Sequence, residues 1–193
     1  MSTITSEADD QADMQSLAAG HDAALEKLMS RHGERLFRYL IRVLQNETEA
    51  ADIAQETFAR VYLNRAKFKA AHKFSTWLFT IATNLARDRQ RWLARHQHVS
   101  LEASDSSESG LKYTLPDQAP TPPEQLQQEE RAAAVRRALA ALPEELRVPL
   151  ILSEYENQSH AEIGTLLDCS AKAVEMRIYR ARQQLRVSLV NLF

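Results

Sequence analysis

One cysteine, Cys169, in a chain of 193 residues excludes an internal disulfide, and with it the cross-linked scaffolds on which small exported domains rely. Glycines number four and prolines six, and four of those prolines crowd into residues 116–123. No run of about 18 apolar residues is present to cross a membrane. The polar start Met1–Asp13 lacks the basic-then-apolar build of a secretory signal. A reducing, cytoplasmic setting is therefore expected, with no direct membrane insertion. Catalytic patterns are missing too: there is no glycine-rich phosphate loop and no nucleophile beside a base. His96 and His98 stand two apart in a basic stretch, far in sequence from Cys169, which is poor metal-ligand spacing. Glu144 and Glu145 follow Pro143 and read as the acidic first turn of a helix rather than an acid–base pair. No catalytic residue, metal, cofactor or small-molecule substrate is expected, and the chain does not read as an enzyme.

What is present is strongly segregated charge. The formal net charge of −2 hides it. Residues 1–30 hold one base against six acids, and residues 100–130 hold one against seven. Between them, residues 65–99 carry eight bases against Asp88 alone, and residues 170–193 carry five against Glu175. Two basic islands in an acidic chain suit two local phosphate contacts better than general coating of nucleic acid.

Apolar residues recur at three- and four-residue intervals, and no alternating strand pattern of useful length occurs, so the fold expected is all-α. Asp22–Leu44 reads as helical, with a local break or irregularity at Gly33. A second runs from about Glu47 to Asn64, and a third begins near Ser75, a candidate N-cap. Further helices are expected at about Glu124–Leu142, Glu144–Glu154, Ser159–Leu167 and Ser170–Leu192. The serine-, acid- and proline-rich stretch between the third and fourth reads as a flexible acidic linker. The division that follows is an N-terminal lead over 1–20, a helical domain over 21–98, a linker over 99–124 and a second small helical domain over 125–193.

Three surfaces stand out. On the second helix, Asp52, Gln55 and Glu56 share one exposed face, while Ile53, Phe58 or Val61 turn inward. On the third, Trp77, Phe79, Thr83, Asn84, Arg87, Arg91 and Trp92 mix stacking rings, a base-reading amide and cations, a combination that fits an unpaired strand. Core packing is the competing role for these aromatics, above all Phe79. Near the C-terminus, Ile163, Leu167, Val174 and Ile178 suit the shared core of a helix-turn-helix. There Gly164 allows close approach, Cys169 fills a small apolar site and Ser170 caps the second helix. That second helix presents Lys172, Glu175, Met176, Arg177, Tyr179 and Arg180 outward, as a recognition helix would. A purely structural hairpin and a solvated charged face are the plain alternatives.

The stretch Asp52-Ile53-Ala54-Gln55-Glu56-Thr57-Phe58, followed by Trp77-Leu78-Phe79-Thr80-Ile81-Ala82-Thr83-Asn84-Leu85-Ala86-Arg87-Asp88, resembles bacterial sigma factors of the extracytoplasmic-function class. Ala161-Glu162-Ile163 through Arg180-Ala181-Arg182 resembles that family's second DNA-binding domain. The resemblance implies a non-enzymatic transcription initiation factor that binds core RNA polymerase, selects promoters and captures the melted strand. The first domain, sigma region 2, would grip the β′ clamp helices through Asp52, Ile53, Gln55, Glu56 and Phe58. The same domain would read the minus-ten element with Lys73, Phe74, Ser75, Trp77, Thr83, Asn84, Arg87 and Arg91. The second, sigma region 4, would meet the β flap and read the minus-thirty-five element with Ser170, Lys172, Glu175, Met176, Arg177, Tyr179, Arg180 and Arg182. An anti-sigma partner and a stress response are implied likewise. Lys172 and Ala173 stand where the family often has glycine and threonine, and Glu175 where a basic residue is frequent, so the preferred promoter sequence stays open. A two-domain regulator with a sensory first half, or a helical adaptor that binds no DNA, are the alternatives that polymerase binding and salt-sensitive DNA binding would separate.

Overall fold

A computed structural model describes residues 7–69, 71–96 and 122–190 of the chain; for 122–129 it gives the helical backbone alone. Among the described residues the structure is all helix. The elements are α1 (Glu7–Ala18), α2 (Ala23–Leu44), α3 (Glu47–Leu63), a single 3-10 turn at Arg65–Lys67, α4 (Phe74–His96), α5 (Pro122–Ala141), α6 (Glu144–Glu154), α7 (His160–Leu167) and α8 (Ala171–Leu189). Helices α1–α4 pack into one small domain and α5–α8 into another. The two domains rest on each other through α2 with α5 and α6, and through α4 with α7. The expected linker lies within 97–121 for most of its length, outside the described residues.

In the first domain α2 is the central rod. Leu28, Leu36, Tyr39, Leu40 and Val43 follow the helical period and are buried. They meet Ala50, Ile53, Phe58 and Val61 of α3 and Phe74, Leu78, Phe79 and Ala82 of α4. The Tyr39 hydroxyl lies 2.6 Å from Thr83 Oγ1, whose own hydrogen goes to the Phe79 carbonyl at 2.6 Å, so Tyr39 is the donor. Burial pushes the Tyr39 phenol far above its usual range, holding it neutral as that donor requires. Helix α2 ends on Gln45 in the left-handed conformation (φ 57°). One residue later, the Asn46 side chain accepts from the Glu49 N–H and starts α3.

Several expectations need correction. Gly33 marks no break: α2 runs through it unbroken from Ala23 to Leu44. Helix α4 begins at Phe74, with the Trp77 N–H reaching the Lys73 carbonyl, so Ser75 lies inside the first turn rather than capping it. The lead over 1–20 contains the helix α1, docked through buried Met14 and Leu17. Charge completes that docking: Arg31 donates to Asp10 and Asp13, and His32 Nε2 lies 2.9 Å from both carboxylate oxygens of Asp10.

The second domain is built around its turn. Ser159 and Glu162 form a reciprocal capping box at the start of α7. Asp168 closes that helix in the left-handed conformation (φ 53°), and the Ser170 side chain accepts from the Ala173 N–H at 3.1 Å to open α8. Val174, Ile178 and Ala181 of α8 are buried against Ile163, Gly164 and Leu167 of α7 and Leu146, Ile151 and Leu152 of α6. The close approach expected at Gly164 is real: a Cβ there would stand 2.6 Å from the Cys169 carbonyl oxygen. Since that neighbour is backbone, the turn itself must move, and Gly164→Ala is expected to cost about 1–3 kcal/mol. Urea unfolding of the full chain checks this; an unchanged midpoint would mean that the turn yields freely.

Candidate nucleic-acid interface

On α3, Asp52, Gln55 and Glu56 face solvent, with Glu56 joined to Arg60 at 2.8 Å along the same helix. Ile53 (7% exposed) and Phe58 (5%) do not share that surface. They are core, set inward by the period that turns the three polar residues outward. A groove between α3 and α4 runs beside this acidic face, lined by Glu49, Asp52, Glu56, Arg60, Arg89 and Trp92. Arg89 spans it to Glu49, and that bond holds its guanidinium further toward the charged form. Its guanidinium also lies 5.0 Å from the ring centroid of Trp92, which stacks on His96. Asp52 and Glu56 are thus acids on the rim of a mixed-charge groove.

The proposed strand-reading residues divide. Phe74 and Thr83 are fully buried. Phe74 packs edge-on against His32, and Thr83 is engaged with Tyr39 and the α4 backbone. Neither touches a base without unpacking the domain, so both are core residues rather than contact residues. Lys73 and Asn84 are exposed, while Ser75, Trp77 and Arg87 are half-buried. Trp77 lies 5.3 Å, centroid to centroid, from Phe68 in a tilted pair, with Phe74 beneath. Arg91 is exposed and paired with Asp88.

The second domain covers one side of this region. Lys73, Thr76, Thr80 and Arg87 fall along a single side of α4 by helical period. There Lys73 Nζ meets Glu162 at 2.8 Å, Thr76 donates to Gln158 at 2.9 Å, and Arg87 Nε meets Glu144 at 2.8 Å. On α2 nearby, Arg35 Nε donates to Glu156 at 2.6 Å, and the Arg42 guanidinium lies 4.2 Å from the Tyr155 ring centroid. Burial raises the Glu156 carboxyl against the pull of Arg35, Arg42 and Arg38. None of these pairings is visible in local sequence, because the hydrogen-bonded partners are 57 to 121 residues apart; the only hint was that acidic and basic segments alternate along the chain.

Helix α8 turns its other face to solvent. Lys172, Glu175, Met176, Tyr179 and Arg180 are exposed. Lys172 bonds Glu175 at 2.9 Å, which holds that carboxyl below its ordinary range. Three expected readers are engaged within the chain. Arg177 is half-buried with Nη1 3.6 Å from Cys169 Sγ, Arg182 pairs with Glu154, and Ser170 caps the helix. An exposed helix following a tight turn, with cations and a ring along its outer face, has the form that enters a major groove.

Comparison with known proteins accords with this geometry. Residues 28–96 match the family model of Sigma-70 region 2, and residues 132–185 that of Sigma-70, region 4. The chain is 30% identical over 173 residues to the ECF RNA polymerase sigma factor SigW of Bacillus subtilis (strain 168), covering 90% of this chain and 92% of that one. It is 30% identical over 190 residues to the RNA polymerase sigma-H factor of Pseudomonas aeruginosa, covering 98% and 97%. Among solved structures, CnrH in complex with the cytosolic domain of CnrY superposes with a TM-score of 0.69 at 26% identity, over 95% of this chain and 98% of that one. A sigma factor RpoE solved with the anti-sigma factor NepR, from Bartonella quintana, shares the fold with a TM-score of 0.68 at 19% identity, over 85% of this chain and 95% of that one.

The Lys73–Glu162 contact carries a pH signature. Burial alone would raise the Glu162 carboxyl, but bonds from Lys73 and from the Ser159 side chain and backbone outweigh it and hold the group below its ordinary 4.5. A carboxylate lowered in this way stabilises the fold above the ordinary value, and the contribution is lost as pH falls through the lowered one. The stability gap between the protein and Glu162→Gln is therefore expected to be widest near neutrality and to close below about pH 4.5. Urea titrations across that range test it; a gap independent of pH would remove the ion pair as its cause.

Proposed function

Because the chain belongs to the extracytoplasmic-function family of RNA polymerase sigma factors, we propose that its two domains divide promoter recognition between an opened strand and duplex DNA. It is a transcription initiation factor: it binds core RNA polymerase, directs it to particular promoters and promotes their melting, while nucleotide transfer stays with the polymerase. The observation that carries this is the presence of region 2 and region 4 in one chain, in that order, each on its own helical domain. A lone helix-turn-helix would serve many regulators; the pair would not.

In this reading the acidic outer face of α3 (Asp52, Gln55, Glu56) meets the β′ clamp helices, with Ile53 and Phe58 holding that face rigid from behind. Lys73, Ser75, Trp77, Asn84, Arg87 and Arg91 serve the melted minus-ten strand. Cations take phosphates, Trp77 offers a ring to an unstacked base, and Asn84 offers an amide to a base edge. Helix α8 enters the duplex at the minus-thirty-five element, where Arg180 and Lys172 suit guanine edges or phosphates and Glu175 suits a cytosine amino group. Arg177 and Arg182 steady that helix on its own domain, and the second domain meets the β flap. Two structural relatives were solved with partners, one with the cytosolic domain of CnrY and one with an anti-sigma factor; an anti-sigma partner is accordingly proposed here. No described helix is long and apolar enough to cross a membrane.

Purified bacterial core polymerase, transcribing a genomic promoter library with and without this chain, tests the assignment. New RNA starts that share two spaced upstream motifs are expected; no added starts with demonstrably active core overturns it. The α3 face has its own test. Reversing charge at Asp52 and Glu56 is expected to weaken core-polymerase affinity on the order of tenfold, with duplex binding by the second domain unchanged. Undiminished core affinity would exclude both residues from the interface.

A further inference from the structure

Trp92 lies in the last turns of α4, in the groove that Asp52 and Glu56 of α3 border. At 43% exposure it is the bulkiest of the exposed apolar side chains among the described residues. The ring is nevertheless held in place. The Arg89 guanidinium stands over it, 5.0 Å from the centroid, and the His96 ring stacks on it at 4.2 Å, 23° from parallel. Each support is itself tied: Arg89 by two hydrogen bonds to the Glu49 carboxylate of α3, and His96 by its Nδ1 donating to the Trp92 carbonyl at 2.7 Å. Neighbours three residues before and four residues after therefore fix the indole from its own helix, and Glu49 ties that support across the groove.

An indole fixed in one orientation and open to solvent gives up little conformational freedom when a partner covers it. A rigid aromatic ringed by polar groups is also the usual make-up of an interface hot spot. Nucleic acid, by contrast, finds few cations here. Arg60, Arg89 and Arg91 are engaged by Glu56, Glu49 and Asp88. Among the described residues, Asp52 and Arg95 are the lining charges with no opposite charge bonded to them. A phosphate track needs a run of available cations, and one guanidinium sharing its groove with an unmatched carboxylate does not make one. By helical rise and period, Trp92 also stands about 22 Å along α4 from Trp77 and about 140° around it from Arg87.

We propose that Trp92 is a polymerase contact rather than a strand reader: its ring, oriented by Arg89 and His96, fills an apolar slot on core RNA polymerase beside a cation that meets Asp52. This rests on the assignment of the outer α3 face to the polymerase. Arg89 is then a positioning residue, acting on the partner through the ring.

The test compares the natural full-length chain with Trp92→Ala, Trp92→Phe and the charge reversal at Asp52 and Glu56. Fluorescence anisotropy of the labelled chain reads affinity for purified core polymerase, and a single-stranded oligonucleotide of random sequence is titrated in parallel. Trp92→Ala is expected to weaken core binding about tenfold or more, Trp92→Phe to recover most of the loss, and both to bind the oligonucleotide as the natural chain does. Arg89→Met is expected to weaken core binding too, and Arg89→Met/Trp92→Ala to be within about twofold of Trp92→Ala alone; fully additive losses overturn the positioning role of Arg89. Natural core affinity in Trp92→Ala, with the charge reversal still weakening binding, overturns the proposal and leaves the α3 assignment standing. A loss that Trp92→Phe does not repair at all also overturns it, as does a loss of oligonucleotide affinity in Trp92→Ala with core affinity kept, which returns the ring to the strand. If the charge reversal leaves core affinity unchanged, or the natural chain does not bind core, the α3 assignment falls and the proposal with it.

Discussion

A carboxylate sealed from water stays charged only beside a cation, and the arginines of α2 supply that for Glu156, 2% exposed, against the upward push of burial. Burial disfavours the charged form of Glu156, and because the Arg35 side chain is itself 40% exposed, the pair is worth less than a fully buried one. The loop between α6 and α7 therefore cannot rest on α2 except where Arg35 supplies its Nε to the carboxylate and its Nη2 to the Glu156 carbonyl. With that point fixed, the neighbours follow in register. Asn157 turns the chain in the left-handed conformation (φ 51°), Gln158 reaches Thr76, and α7 is brought with Glu162 against Lys73. One buried charge thus sets how the two domains meet.

Within each domain, by contrast, apolar period governs, and this is why so much was legible beforehand. The α3 and α6 helices and the α7–turn–α8 unit occupy nearly the residues their patterns predict, because each has a clean inward stripe and a local stop or start signal: Asn46 and Ser170 as caps, Ser159 with Glu162 as a capping box, and Asp168 closing the turn. Gly164 was readable as a point of close approach because a small residue inside an apolar helix needs such a reason. The outward sets Asp52, Gln55, Glu56 and Lys172, Glu175, Met176, Tyr179, Arg180 follow from the same period read in reverse.

What stayed hidden depends on contacts distant in sequence. Helix α1 has too few apolar residues to announce a face; Asp10 and Asp13 dock it by meeting Arg31 and His32. Two acids of the lead, Asp10 and Asp13, are thus buried polar partners. Phe74 and Thr83 failed as surface residues for a related reason. A phenylalanine or threonine amid cations can serve a ligand or a core, and only the positions of His32 and Tyr39 across the domain decide. Arg177 and Arg182 counted among the five bases of the C-terminal island, yet Cys169 and Glu154 engage their guanidinium groups within the domain.

The alternation of acidic and basic segments gains a meaning from the fold that composition could not give it. The basic island of the first domain does not lie open: acids of the second domain lie along one side of it. The basic island of α8 remains largely turned to solvent, with Lys172 and Arg180 exposed on the side away from Val174 and Ile178. The two basic surfaces are therefore unequal in exposure. The cations Lys172 and Arg180 of α8 are already presented, whereas Lys73 and Arg87 beside and on α4 are already occupied by Glu162 and Glu144. The carboxylates that occupy the α4 side do so through partly exposed, salt-screened pairs, so charge complementarity sets where the domains meet without binding them tightly there.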